Sequence, residues 1–233
     1  YIGAMALGAV DREDPFPLQV NVIGSQWSWR FEYPEYDIIS TDLMLPVNKQ
    51  ALLRLSSTDV IHSFWIPEFR VKQDVLPSGE EFVRELAITP TELGTYKVLC
   101  AELCGSLHYD MRAPVVVMTQ DAFDTWVEIE SSSETGDPAE KGEKIAKQFG
   151  CIACHTADGT TGVGPTWKGL FGSQESLDDG TSVLVDHAYL YESIREPGVK
   201  ITDGFQNIMP PNIGVDLSDE QIDDIIAYIE SLQ

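Results

Sequence analysis

Cys100, Cys104, His108 and Met111 fall within the twelve residues CAELCGSLHYDM, at spacings of four, four and three. Two thiolates, an imidazole and a thioether form a soft donor set, which suits copper better than a hard cation. An extended loop with this spacing can turn all four side chains, and an intervening carbonyl, toward one point. Two other readings stay open on the loop alone: a Cys100–Cys104 disulfide, and a zinc site, although zinc has no use for a methionine. A second cluster, CIACH, runs from Cys151 to His155. CxxCH is the attachment signature of c-type haem, in which two thiols bond the haem vinyl groups and the histidine takes one axial position. The same CxxC also serves redox dithiols and zinc. A second axial ligand must lie downstream, and Met209 stands in GFQNIMPPN. Met118 ends a β-type run instead, and His187 sits in the helix-like HAYLYESI as a surface or packing histidine.

The chain has four histidines, and the one upstream of the loop is His62, in DVIHSFWIPEF. With that stretch and the CAELCGSLHYDM loop together, residues 15–120 resemble subunit II of cytochrome c oxidases. The resemblance implies a binuclear copper A centre bridged by Cys100 and Cys104. One copper would take His62 and the other His108, with Met111 and the Glu102 carbonyl as weak axial ligands. It also implies a magnesium ion, reached by the Glu102 side chain, at the boundary with subunit I. QWSWRFEY matches the family's aromatic stretch, which makes Trp27 the surface residue for electron entry. Trp29 is then core or a neighbour of the site. On strand propensity alone, the cluster Trp27, Trp29, Phe31, Tyr33 and Tyr36 reads as packing. Asp59, Asp74 and Asp110 read as structural or interface acids.

The elements that must position these groups are short β-type runs: LQVNVIG, QWSWRFEYPEYD, LMLPVNKQALLRLSS, EEFVRELAI, GTYKVLC and APVVVMT. They predict an all-β cupredoxin-like Greek-key sandwich over residues 16–130, with the metal loop held between its last two strands. The amphipathic DAFDTWVEIE follows. SSSETGDP, residues 131–138, reads as a flexible linker. Asp137 and Pro138 then supply an N-cap and a first-turn proline for a helix to about Gly150. Ser218 and Gln221 form a capping box ahead of a stripe of Ile222, Ile225, Ile226, Ile229 and Leu232. Residues 139–233 resemble an all-α class I cytochrome c: helix, CxxCH, GPTWKGLFG, middle helix, methionine loop, closing helix. In that likeness Cys151 and Cys154 bond the haem, and His155 and Met209 are the axial ligands. The Pro165 carbonyl orients His155, Trp167 packs near the haem, and Phe149 and Tyr228 meet where the first and last helices cross.

The length, 233 residues, allows two domains with real cores. The net charge of −23 argues against nucleic acid and anionic membrane surfaces. It divides almost evenly, −11 over residues 1–130 and −12 over the rest, which favours a generally acidic, well-solvated surface over one docking patch. No stretch approaches the ~20 apolar residues that span a bilayer. YIGAMALGAV, within the lead-in of residues 1–15, reads as the end of a helix lying upstream. Family members carry two membrane helices before the copper domain.

Taken together, the resemblance is to subunit II with a fused cytochrome c, the caa3 type. It implies a bacterial plasma-membrane complex with both soluble domains on the periplasmic or outer face. Electrons from an external donor, a cytochrome c or another redox protein, would pass through haem c to copper A. They would continue to haem a of subunit I, which also holds the haem a3–copper B site, with subunit III alongside. Three of four histidines are spent as ligands, which leaves none for an oxygen-reducing site or the catalytic copper cluster of nitrous oxide reductase. A copper-delivery protein fits His62, Met111 and the haem poorly. A free-standing periplasmic copper and haem electron carrier is the alternative.

Overall fold

The computed structural model describes residues 14–77, 82–132, 136–211, 213–215 and 217–233. Most of the expected lead-in, residues 1–13, lies outside the described residues, as do residues 133–135 of the expected linker. The chain divides into two compact units, one of Tyr1–Gly24 and Trp29–Ser131, the other of Ser25–Ser28 and Ser132–Gln233.

In the first unit ten strands build two five-stranded sheets. They are β1 (Leu18–Ser25), β2 (Ser28–Tyr33), β3 (Ile38–Ser40), β4 (Leu43–Pro46), β5 (Ala51–Ser57), β6 (His62–Ile66), β7 (Val71–Val75), β8 (Arg84–Ile88), β9 (Gly94–Cys100) and β10 (Arg112–Met118). One sheet runs β3-β2-β1-β5-β8 and the other β4-β10-β9-β6-β7. Period-two burial explains the packing: in β5, Ala51, Leu53 and Leu55 face inward while Arg54 faces water. The core between the sheets is filled by Val20, Val22, Phe31, Leu45, Phe64, Ile66, Val98 and Val115, all fully buried. Each such side chain contributes roughly 1.5–3 kcal/mol relative to exposure.

The run LMLPVNKQALLRLSS is two strands rather than one. Asn48 takes a left-handed conformation, φ 61°, and the chain crosses from one sheet to the other at that turn. Helix α1 (Gln120–Ser132) follows β10 and packs Phe123 and Trp126 against Tyr33, at ring distances of 6.3 and 5.0 Å. It reaches into the first residues of the polar stretch expected to be linker.

The second unit holds α2 (Pro138–Gln148), α3 (His187–Arg195) and α4 (Asp219–Ser231). Asp137 caps α2 by accepting the Ala139 N–H at 2.9 Å, and Pro138 fills the first turn. Gly150, at φ 75°, turns the chain out of α2 into a single 3-10 turn at Cys151–Ala153. The capping box of Ser218 and Gln221 forms as the sequence predicts. Ile222, Ile225, Ile226 and Ile229 are buried in one core with Phe149, Trp167 and Leu190. A feature beyond the all-α expectation is a hairpin of β11 (Gln174–Ser176) and β12 (Ser182–Leu184). Among the described residues no helix is long and apolar enough to cross a membrane.

Candidate functional site

Strand β9 ends at Cys100 and β10 begins at Arg112, so the metal-type loop is a connection clamped at both ends by paired strands. The Cys100 N–H donates to the Met111 carbonyl at 3.0 Å, closing the loop's neck. Strand β6 lies beside β9, with Phe64 opposite Cys100, and this brings His62 to the same place. His62 is completely buried. Its entry into the core needs Gly24, where a Cβ would lie 3.1 Å from both the His62 ring and the Trp29 ring. Trp29 is buried with its ring 6.1 Å from His62, so it is a neighbour of the site.

The donor atoms converge as a two-ended set. Cys100 Sγ and Cys104 Sγ are 3.7 Å apart as free thiols, well beyond the about 2 Å of a disulfide. At one end His62 Nδ1 lies 3.9 Å, and the Glu102 carbonyl oxygen 3.2 Å, from Cys100 Sγ. At the other end His108 Nδ1 is 3.5 Å, and Met111 Sδ 3.7 Å, from Cys104 Sγ. Ligand atoms of His62, Cys100 and Cys104 all lie within 4.8 Å of one another, a candidate metal site. The Glu102 side chain is exposed, and so is the neighbouring Leu103.

The electrostatics of this cluster favour one negative sulfur. Burial raises the Cys100 thiol, but hydrogen bonds from His62 and from loop and strand backbone outweigh it and bring it to about 6. Burial and the adjacent Cys100 charge push Cys104 up to about 12. Burial disfavours the charged form of His62, yet its bonds to Asp59 and Cys100 win and hold its pKa above the ordinary value. His62 Nε2 lies 2.8 Å from Asp59 Oδ1, so the carboxylate orients the ring and leaves Nδ1 facing the sulfurs. Asp59 is therefore more than a structural acid, and its place three residues before His62 was the available signal. Asp74 takes the Ser63 hydroxyl at 2.8 Å. Asp110 pairs with Arg112 at 2.5 Å. Trp27 lies half-buried in the β1–β2 turn.

In the second unit Cys151 and Cys154 are free and half-buried around the 3-10 turn. Burial pushes the Cys151 thiol up to about 12 and raises Cys154 as well. The His155 Nδ1–H donates to the Pro165 carbonyl at 2.8 Å, leaving Nε2 as the free lone pair of the ring. Burial pulls the His155 pKa down, which favours this neutral form. Trp167 stacks on His155 at 5.1 Å and meets Tyr228 edge-on at 6.0 Å. Gly164 makes room beneath the ring, since a Cβ there would be 2.7 Å from His155 Cε1. Neutral imidazole, two thiols on one turn and a wall of Trp167 fit a covalent haem. Met209 lies half-buried in the loop before α4. His187 is exposed, its Nε2 3.0 Å from Asp223.

Residues 38–120 match the family model of the cytochrome c oxidase subunit II periplasmic domain. Residues 139–233 match that of cytochrome c. The chain carries a domain of the cytochrome c oxidase subunit II family followed by one of the cytochrome c family. Among proteins the chain is similar to, cytochrome c oxidase subunit 2 of Alkalihalophilus pseudofirmus is 31% identical over 95% of this chain and 65% of its own length. That of Bacillus sp. PS3 is 32% identical over 95% of this chain and 64% of its own length. That of Thermostichus vulcanus reaches 49% identity over 47% of this chain and 32% of its own length. The chain thus spans less than two thirds of the length of each of these relatives.

Proposed function

We propose that the chain is the electron-entry portion of subunit II of a haem–copper cytochrome c oxidase. In this reading Cys151, Cys154, His155 and Met209 would hold a covalent haem c and the Cys100–Met111 loop with His62 a binuclear copper A centre, so that electrons from an external donor would reach haem a of subunit I. Those two groups, when bound, supply reversible one-electron carriage. The two-ended donor set carries the reading: each cysteine sulfur has its own imidazole and its own weak donor, Glu102 carbonyl or Met111 thioether. Six donors exceed the four of a structural zinc site, and their softness suits copper.

The chain's own residues hold, orient and seal these groups. His62, Cys100, Cys104 and His108 would be the strong copper ligands, with Asp59 fixing the His62 ring. Paired strands on both sides pre-form the loop, and burial of both cysteines and Met111 keeps water away. Cys151 and Cys154 would bond the haem, His155 and Met209 would hold the iron, and Pro165 and Trp167 would fix the His155 ring. Trp27 would be the entry residue toward copper, and the exposed Glu102 carboxylate would reach a magnesium ion at the subunit I boundary. Residues 16–130 would form the copper domain and 139–233 the haem domain, joined by the linker at 131–138. The periplasmic-domain match supports a place outside the plasma membrane, in a complex with subunits I and III.

The test is electron paramagnetic resonance with optical spectroscopy on copper-loaded, haem-matured protein. The expected result is hyperfine structure from one unpaired electron shared by two coppers, together with a low-spin haem c. A spectrum of one isolated copper would end the binuclear assignment.

A further inference from the structure

The loop between α3 and α4, which carries Met209, is fastened differently at its two ends. Its beginning is stitched by backbone to the β11–β12 hairpin: the Asp178 N–H donates to the Ile201 carbonyl at 2.9 Å, and the Asp203 N–H to the Ser176 carbonyl at 2.8 Å. Its end is gripped by a side chain. Arg195, in the last turn of α3, donates from Nη1 to the Gly214 carbonyl and, at 2.9 Å, to the Leu217 carbonyl. Its Nη2 donates to Asp219 Oδ1 at 2.5 Å, in the first turn of α4. Tyr191, one turn earlier on α3, gives the same carboxylate its hydroxyl proton at 2.7 Å and lies under the guanidinium at 5.5 Å. The fit is close, since a Cβ on Gly214 would stand 2.4 Å from the Ile194 carbonyl.

We infer that Arg195 is the positioning residue that holds the Met209 loop closed, and so sets how firmly the thioether occupies its axial place. The inference rests on reading Met209 as the second axial ligand. A guanidinium suits the task because its rigid fork serves two carbonyls and a carboxylate at once, which a single ammonium cannot do. Hydrogen bonds to a charged group are also stronger than neutral ones, so loosening this grip shifts the open–closed balance of the loop by about tenfold or more.

The experiment uses the full, haem-matured chain in the ferric state. Wild type should show the weak sulfur-to-iron absorption band and Met209→Ala should lack it; absence of the band from wild type overturns the Met209 reading and this inference with it. With the band present, imidazole is titrated as a competitor for the axial place, and global unfolding is followed separately by far-ultraviolet circular dichroism. Arg195→Gln should bind imidazole about tenfold more tightly than wild type. Arg195→Lys, which keeps the charge and serves if the glutamine variant folds poorly, should recover only part of that difference. Ile226→Val, which loosens the core of the same domain, should leave imidazole affinity at the wild-type value. Imidazole affinity unchanged in both Arg195 variants, or raised equally by Ile226→Val, would overturn the positioning role while leaving Met209 as the ligand.

Discussion

Asp59 acts on the site through His62, and that gives it a measurable signature. A carboxylate on the far nitrogen fixes the ring and makes the near nitrogen a better donor, and losing such a partner typically costs about 10–100-fold in metal affinity. Asp59→Asn should therefore weaken copper binding by about tenfold in a competing-chelator titration, and Asp59→Ala by more. Asp110→Asn, which disturbs an exposed ion pair with Arg112, is the comparison and should bind as wild type does. Equal affinity in wild type and all three variants would show that Asp59 leaves His62 untouched. The candidate ligands were legible, because Cys100, Cys104, His108 and Met111 are close in the chain and chemically unusual. Asp59 was harder to read: an aspartate before a histidine looks like any polar residue until the ring's buried position shows that one nitrogen needs a partner. Gly24 was harder still, since its meaning lies in a contact with residues far along the chain.

Among the elements, Tyr33 joins β2 to β4 by a reciprocal pair: its hydroxyl accepts the Met44 N–H at 2.6 Å and donates to the Met44 carbonyl at 3.1 Å. Burial holds its phenol far above the ordinary 10.0. Only the neutral form fits the folded state, whereas the unfolded chain loses the proton near the ordinary value. Tyr33 thus contributes stability below about pH 10 that is lost as pH rises past it, at about 1.4 kcal/mol per unit. Tyr33→Phe should cost about 1–3 kcal/mol at pH 8 by orphaning the Met44 groups. That deficit should shrink above pH 10 in denaturant titrations run at both values. A deficit constant across the range would mean that Tyr33 ionises in place.

Helix α2 offers a second test at this scale. Gly142 in a helix interior ordinarily gains about 1 kcal/mol on change to alanine. Here a Cβ would stand 1.9 Å from the Asp224 carbonyl, so α2 and α4 touch backbone to backbone. Gly142→Ala should instead lower the stability of the second unit by about 1–3 kcal/mol, as overpacking does. A neutral or more stable variant, judged by thermal unfolding, would contradict that close crossing. The caps, the isoleucine stripe and most strands followed from local pattern. The sheet change at Asn48 did not, because a run of alternating residues says nothing about which sheet each half joins. The edge strand β7, VKQDV, gave a weak signal because three of its five residues are polar. The hairpin β11–β12 gave a weak one because each strand has three residues.

For the whole molecule, charge and connection combine into one kinetic expectation. The two halves carry −11 and −12, so as separate proteins they would repel and meet faster in high salt, where the repulsion is screened. Joined by a short polar segment, they instead present each other with an effective concentration in the millimolar range, and salt should matter little. A protease site placed within residues 133–137 allows both cases to be measured on one protein. After pulsed reduction of the haem in the intact, metal-loaded chain, the copper absorbance should change at a rate independent of protein concentration and nearly independent of salt. After cleavage the rate should become proportional to concentration and rise with added salt. If the cleaved protein keeps a concentration-independent rate, the pieces hold together without the tether. The covalent join would then not be what sustains transfer.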